Sequence, residues 1–271
     1  MTPSPKGKAQ QDPQQKTMDM HNETSRQGQP KMTGHFYVIG VGPGDPELMT
    51  LKAARLLAHC PVWFAPKAHQ DGDSTALSIL AGAVSTTGKE IMELHFPMKK
   101  IRMGEPPDPE VEAAWRLAAE AIGAKLAQGI DVAFPTLGDP AIYSTGFYVC
   151  DTLLRYTPDA RIAVIPGVSS IGASAAAVGQ PLCLGDDRLV VIPATFENGR
   201  LRETLEQFDT VVLMKVHRVM AKVVALLGEL DLLDRAVLVE RSSHASQRVR
   251  RDLTAAATEE LHYFSTVIVR K

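Results

Sequence analysis

The chain has 271 residues, 45% hydrophobic content and a formal net charge of −2, which allows one large domain or two modest ones and carries no polyanion-binding signature, so nucleic acid is not an expected partner. Cys60, Cys150 and Cys183 are odd in number and form no C-x-x-C, which excludes a disulfide framework and favours a reducing, cytoplasmic setting. The eight histidines make no pair at metal-ligand spacing, and no apolar run reaches the length of a membrane span, so neither a metal nor a membrane is expected.

Residues 1–33 read as a disordered tail, rich in Gln, Pro, Lys and Ser and almost without large apolar side chains. Phe36–Val41 is then an apolar, β-branched run of the kind found in a buried parallel strand. Gly40, Gly42 and Gly44 interrupt it around Pro43 and Asp45, and Leu48, Leu51, Lys52, Arg55 and Leu56 follow at helix spacing. Further along, the pattern predicts a strand at 62–65, a helix from Ser74 to about Val84, a strand at 91–96, and a loop at 99–109. Val111, Ala114, Trp115, Ala118, Ile122 and Leu126 form a helical apolar stripe in which Trp115 reads as core. Strands at 131–134 and 161–165 alternate with helices at 144–156 and 169–178. This alternation predicts a mainly parallel sheet with helices on both faces.

The pattern breaks at 179–187, where a domain boundary is expected: an N-terminal α/β domain over 34–182 and a C-terminal one over 183–271. The second half reads as strand 189–192, helix 201–207, strand 210–214, helix 219–227 and strand 236–240. Closing strands are expected at 248–253 and 262–269; with no helices between them, this sheet should be mixed.

The glycine-rich turn invites a dinucleotide reading, and its details argue against one. The spacing Gly40-x-Gly42-x-Gly44 is not G-x-G-x-x-G, the next strand ends in Pro66-Lys67 rather than an acid, and Asp45 would face a pyrophosphate. No Gly-Lys-Ser/Thr follows, which excludes a P-loop; a plain βα turn is the remaining alternative. Similar strand-end turns recur at Leu137-Gly138-Asp139-Pro140-Ala141-Ile142-Tyr143, at Pro166-Gly167-Val168-Ser169-Ser170, and at Val212-Leu213-Met214-Lys215.

In that order, GVGPGDPELMTLKA, LGDPAIYS and PGVSS resemble the tetrapyrrole methylases, S-adenosylmethionine-dependent enzymes of corrin and sirohaem synthesis, and the resemblance runs from Gly34 to the C-terminus. Within the family the chain is most similar to the precorrin-2 C(20)-methyltransferase branch, through Phe96-Pro97-Met98, Tyr143, Tyr148, VVLMKVHR and VERSSHASQRV. Ala141-Ile142 departs from the bulkier aromatics that often follow Gly-Asp-Pro there. The resemblance implies two α/β domains with a cleft between them, a homodimer, and methyl transfer to carbon 20 of precorrin-2 or its cobalt complex. Another corrin or uroporphyrinogen carbon, an NAD-dependent oxidoreductase and a non-catalytic tetrapyrrole-binding protein are the rival readings.

Carried over by position, the resemblance implies that Pro43, Leu137, Gly138, Asp139 and Ile142 touch S-adenosylmethionine, that Ser169 and Ser170 meet its methionine portion, and that Met214 meets its adenosine, with Ser242 a weaker match. For Gly138 a plain turn is the bland alternative, for the serines helix capping, and for Met214 a core position. This donor has no phosphates, so backbone polar groups beside an apolar slot suit it. Lys67, Lys99, Lys100, Arg102, Lys215 and Arg218 are candidates for the macrocycle's carboxylates. Asp45, Tyr143 and Tyr148 are the candidates for a base, none of them expected to be indispensable.

Overall fold

The computed structural model describes residues 34–99, 101, 104–194 and 198–271, so the proposed tail, Lys100 and Arg102 lie outside the described residues. Ten strands make two five-stranded sheets, of order β3-β2-β4-β1-β5 and β6-β7-β10-β8-β9. The first sheet is parallel throughout and comprises β1 (His35–Gly40), β2 (Val62–Lys67), β3 (Glu90–His95), β4 (Val132–Thr136) and β5 (Arg161–Ile165). Its helices are α1 (Leu51–His59), α2 (Thr75–Leu80), α3 (Pro109–Ala127) and α4 (Gly146–Tyr156).

β1 lies between β4 and β5, with Tyr37 opposite Ala133 and Ala163. Its side chains alternate between two cores, as the pleat requires. Phe36 and Val38 pack with Trp115, Ile122 and Leu126 of α3 and Val149 and Leu153 of α4. Ile39 packs on the other face with Ala53 and Leu57 of α1 and Ile79 and Leu80 of α2. The chain leaving β1 therefore covers one face and the chain leaving β4 the other. Two neighbouring strands whose connections part in this way open a crevice at their carboxyl ends, where such sheets bind ligands.

The second sheet is mixed, as expected: β6 (Leu189–Pro193) runs parallel to β7 (Thr210–Met214), whereas β10 (Ser265–Arg270) is antiparallel to β7 and β8 (Ala236–Glu240), and β9 (Arg248–Arg250) is antiparallel to β8. α6 (Asn198–Gln207), α7 (Met220–Glu229) and α8 (Leu253–Ala256) follow in chain order, and residues of all three share a core with β7, β8 and β10. α5 (Ser170–Val178) follows β5 in the chain, yet its Ile171 and Ala175 pack on Val212, Val237 and Ile268 of the second sheet. It ends at Gly179, left-handed at φ 65°.

Three elements differ from expectation for local reasons. α2 stops at Leu80 rather than Val84; beyond it Gly82 lies so close to Pro46 that a Cβ there would come within 2.5 Å of the ring. α4 starts at Gly146 rather than Ser144, because the Ser144 hydroxyl accepts from the Gly146 amide and Tyr143 is left-handed. The strand expected at 248–253 ends at Arg250, and Asp252 caps α8 by accepting from the Ala255 amide at 3.0 Å.

Candidate active site

Three strand ends meet backbone to backbone. After β1, Gly42 and Gly138 form an antiparallel bridge, the Gly138 amide donating to the Gly42 carbonyl at 2.8 Å. A Cβ on Gly40 would lie 2.6 Å from the Gly138 carbonyl oxygen, and one on Gly167 only 2.3 Å from the same atom. No side chain fits at either position, so these two glycines let the turns after β1, β4 and β5 touch. Asp139 locks the arrangement: one carboxylate oxygen accepts from the Gly167 amide at 2.9 Å, the other from the Ala141 amide at 2.8 Å.

Gly138 differs from its neighbours. It is left-handed at φ 70°, and a Cβ there would meet only the Ser170 amide nitrogen, at 3.9 Å. Its open side thus faces the start of α5, where Ser169 caps the helix by accepting from the Gly172 amide at 3.3 Å. Next to it, Ile142 and Met214 belong to one apolar cluster with Val191 and Leu182. Ala141, Ile142, Tyr143 and Val191 line a cleft of about 340 Å³. The Tyr143 hydroxyl donates across it to the Val191 carbonyl at 3.1 Å.

A strap from the second half closes on the first turn. The Asp45 amide donates to the Ser243 hydroxyl at 3.0 Å across 198 residues of chain. Gly44 lies flat against the His244 ring; a Cβ there would sit 2.4 Å from Cδ2. Burial, joined by the Arg241 charge, pushes the His244 pKa down against the opposing pull of the Pro43 carbonyl. Ser242, beside it, is buried, and its hydroxyl has no partner among the described residues. Arg241 and Ser243 are left-handed, at φ 47° and 63°, so the strap is bent sharply at both positions.

Residues far apart in the sequence therefore gather here: Pro43, Gly138, Asp139, Ile142, Ser169, Ser170 and Met214 from the expected donor contacts, with Leu137 on the first-sheet core beside them. Asp45 also joins them, but its carboxylate is engaged in capping the turn at Pro46–Leu48, accepting from the Glu47 amide at 2.9 Å. Tyr148 is not brought to this place: its ring stacks on Trp115, centroids 4.5 Å apart, in the α3–α4 core. Lys67 donates to the Gln70 carbonyl, and Lys99 is paired with Asp108 and Glu110. The roles of Gly40, Gly167, Ser243 and His244 were not foreseen. The glycines were visible in the motifs, but which of them touch one another depends on strand order.

The residues present fit S-adenosylmethionine. A Cβ-sized space opens over Gly138 toward a free-standing helix-start amide, an apolar wall stands beside it, and a buried hydroxyl is left unpaired nearby. Among the described residues, no group of three or more His, Cys, Asp or Glu could hold a metal ion, and no helix is long and apolar enough to cross a membrane.

Residues 35–257 match the model of the Tetrapyrrole (Corrin/Porphyrin) Methylases. The chain is 34% identical over 241 residues to a cobalt-precorrin-2 C(20)-methyltransferase of Salmonella typhimurium, covering 89% of this chain and 98% of that protein. It is 32% identical to a precorrin-2 C(20)-methyltransferase of Sinorhizobium sp, covering 87% of this chain and 95% of that one. Among solved structures, a uroporphyrin-III C-methyl transferase from Thermus thermophilus complexed with S-adenyl homocysteine superposes with a TM-score of 0.62 at 25% identity, covering 88% of this chain and 98% of the other. With the family pattern matched over most of its length and relatives above 30% identity covered almost end to end, the chain belongs to the tetrapyrrole (corrin/porphyrin) methylases.

Proposed function

We propose that the protein transfers a methyl group from S-adenosylmethionine to carbon 20 of precorrin-2 or its cobalt complex. The observation that carries this reading is the open, left-handed Gly138 facing the start of α5, in a chain whose end-to-end relatives bear that name. When bound, S-adenosylmethionine supplies a methyl group already activated for attack by an electron-rich carbon. What remains for the chain is to hold and orient. In this reading the Gly138 and Ser170 backbones and the Ser169 hydroxyl hold the donor's polar end, with Pro43, Leu137 and Asp139 shaping the turns around it. Ile142 and Met214 provide the apolar wall for its adenosine. Positioning of this kind is worth on the order of 7–11 kcal/mol, against about 10²–10⁴-fold for a general base. The geometry supports the same ranking: the Asp45 carboxylate is occupied as a cap and Tyr148 is packed in the core.

The reading extends to architecture. We assign the two sheets to two domains, with the boundary near 180–187 in chain order, although α5 packs with the second. A homodimer is supported by Phe147 and Leu154, two turns apart on α4 and exposed at 42% and 39%. A cytoplasmic setting is supported by three free cysteines, of which Cys60 and Cys150 are buried with thiols pushed up to about 12 by desolvation.

Calorimetry with S-adenosylhomocysteine tests the cofactor placement. A leucine at Gly138 has room for its Cβ but would fill the donor's space, so Gly138→Leu should lose binding; the left-handed backbone adds about 1–2 kcal/mol of strain, and the variant should still unfold cooperatively. Wild-type affinity in that variant would remove Gly138 from the site.

A further inference from the structure

Lys215 and Tyr143 are both held in the left-handed region, at φ 59° and 52°. Non-glycine residues adopt it rarely, and those that do cluster at ligand clamps. Here the two meet: Lys215 Nζ lies 5.9 Å from the Tyr143 ring centroid and 5.7 Å from that of Tyr263. The three residues come from the turn after β4, the end of β7 and the loop before β10. Each tyrosine has a further contact, Tyr143 through its hydroxyl to the Val191 carbonyl, Tyr263 through its ring to His217 at 5.2 Å and Phe264 at 5.4 Å.

An aromatic face attracts an ammonium without neutralising it. Lys99 is neutralised by Asp108 at 2.9 Å and Glu110 at 2.6 Å, and Lys67 is tied to a carbonyl of its own loop. Lys215 meets no carboxylate among the described residues, so its charge stands fixed and uncancelled. The ring it approaches, that of Tyr143, lines the cleft with Ala141, Ile142 and Val191. A half-buried cation so placed is complementary to an anionic group on whatever fills the cleft.

We propose that the Tyr143–Lys215–Tyr263 cage anchors one side-chain carboxylate of the macrocycle. This rests on the methyl-transfer reading above and assigns Tyr143 to the wall of the cage rather than to proton transfer.

The test is calorimetry on the full chain, with S-adenosylhomocysteine and, separately, with whichever of metal-free and cobalt-loaded precorrin-2 the wild type binds, called precorrin-2 below, under anaerobic conditions. Lys215→Met should keep wild-type affinity for S-adenosylhomocysteine and lose about tenfold or more for precorrin-2, the loss of one charge-assisted hydrogen bond. Tyr263→Leu should weaken precorrin-2 binding and Tyr263→Phe should not, because phenylalanine keeps the aromatic face. Unchanged precorrin-2 affinity in Lys215→Met would overturn the anchor and leave the methyl-transfer reading standing. A wild-type chain that binds S-adenosylhomocysteine but neither precorrin-2 nor its cobalt complex would overturn that reading, and the anchor with it. Should Lys215→Met fail to fold, wild-type protein treated with acetic anhydride decides: saturating precorrin-2 should slow acetylation of Lys215, and an equal rate with and without it would overturn the proposal.

Discussion

Glu240 is fully buried at the end of β8, where one carboxylate oxygen accepts from the His262 amide at 3.0 Å and from Arg248 at 2.9 Å. Burial works to raise its pKa, but Arg248 and the His262 amide outweigh it and hold the group below its ordinary value of 4.5. The folded pKa lies under the unfolded one, so the stabilisation is complete above about pH 4.5 and is lost as pH falls through the depressed value. Because Arg248 is 40% exposed, water screens part of the attraction. Glu240→Gln should therefore cost on the order of 1–3 kcal/mol at pH 7. That difference should shrink steadily below pH 4.5, as read by urea unfolding at several pH values. A gap independent of pH would show that the cost is one of packing. This residue also sets the start of the strap: Arg241 follows it directly, with its amide donating to the Phe264 carbonyl at 2.8 Å.

At the scale of elements, the site is the product of three strand ends in contact. β1, β4 and β5 are neighbours in the sheet, so the turns that follow them are forced together, and only glycine permits the approach at Gly40 and Gly167. The two glycine types make different predictions. Gly138→Leu should remove the ligand and, at φ 70°, cost about 1–2 kcal/mol of backbone strain without forcing the neighbouring turns apart. Gly167→Ala, whose methyl would lie 2.3 Å from the Gly138 carbonyl oxygen, should push the turns apart and destabilise the chain by about 1–3 kcal/mol or more. Urea denaturation measures this, and a change within about 0.5 kcal/mol would mean that the turns give way freely. α5 is the other decisive element. Its first amide faces Gly138 while its apolar side packs on the second sheet, so it links the turns of the first sheet to the core of the second.

Across the whole molecule, much of the fold was legible because period and punctuation agreed. β1 and α3 are continuous apolar patterns with clear ends; the second sheet is mixed as expected, although the short α8, capped by Asp252, stands between β9 and β10 where no helix was expected. The misplaced ends at Leu80, Gly146 and Arg250 share one cause: a side chain or a close neighbour from elsewhere stopped the element before its pattern ran out. The donor-side turns were legible as motifs. The strap was not, because Asp45 and Ser243 are 198 residues apart and no local pattern pairs them. Nor was the exclusion of Tyr148, since what takes its ring is Trp115 of α3, 33 residues earlier in the chain.

Methyl transfer to carbon 20 is decided by NMR of the product. Wild-type protein is incubated with precorrin-2, metal-free and cobalt-loaded, and a donor labelled with ¹³C in its methyl group. The account predicts one labelled methyl per macrocycle, bonded to the meso carbon at position 20, in at least one of the two substrates. Label at any other carbon, or none while donor and macrocycle both bind, would contradict it.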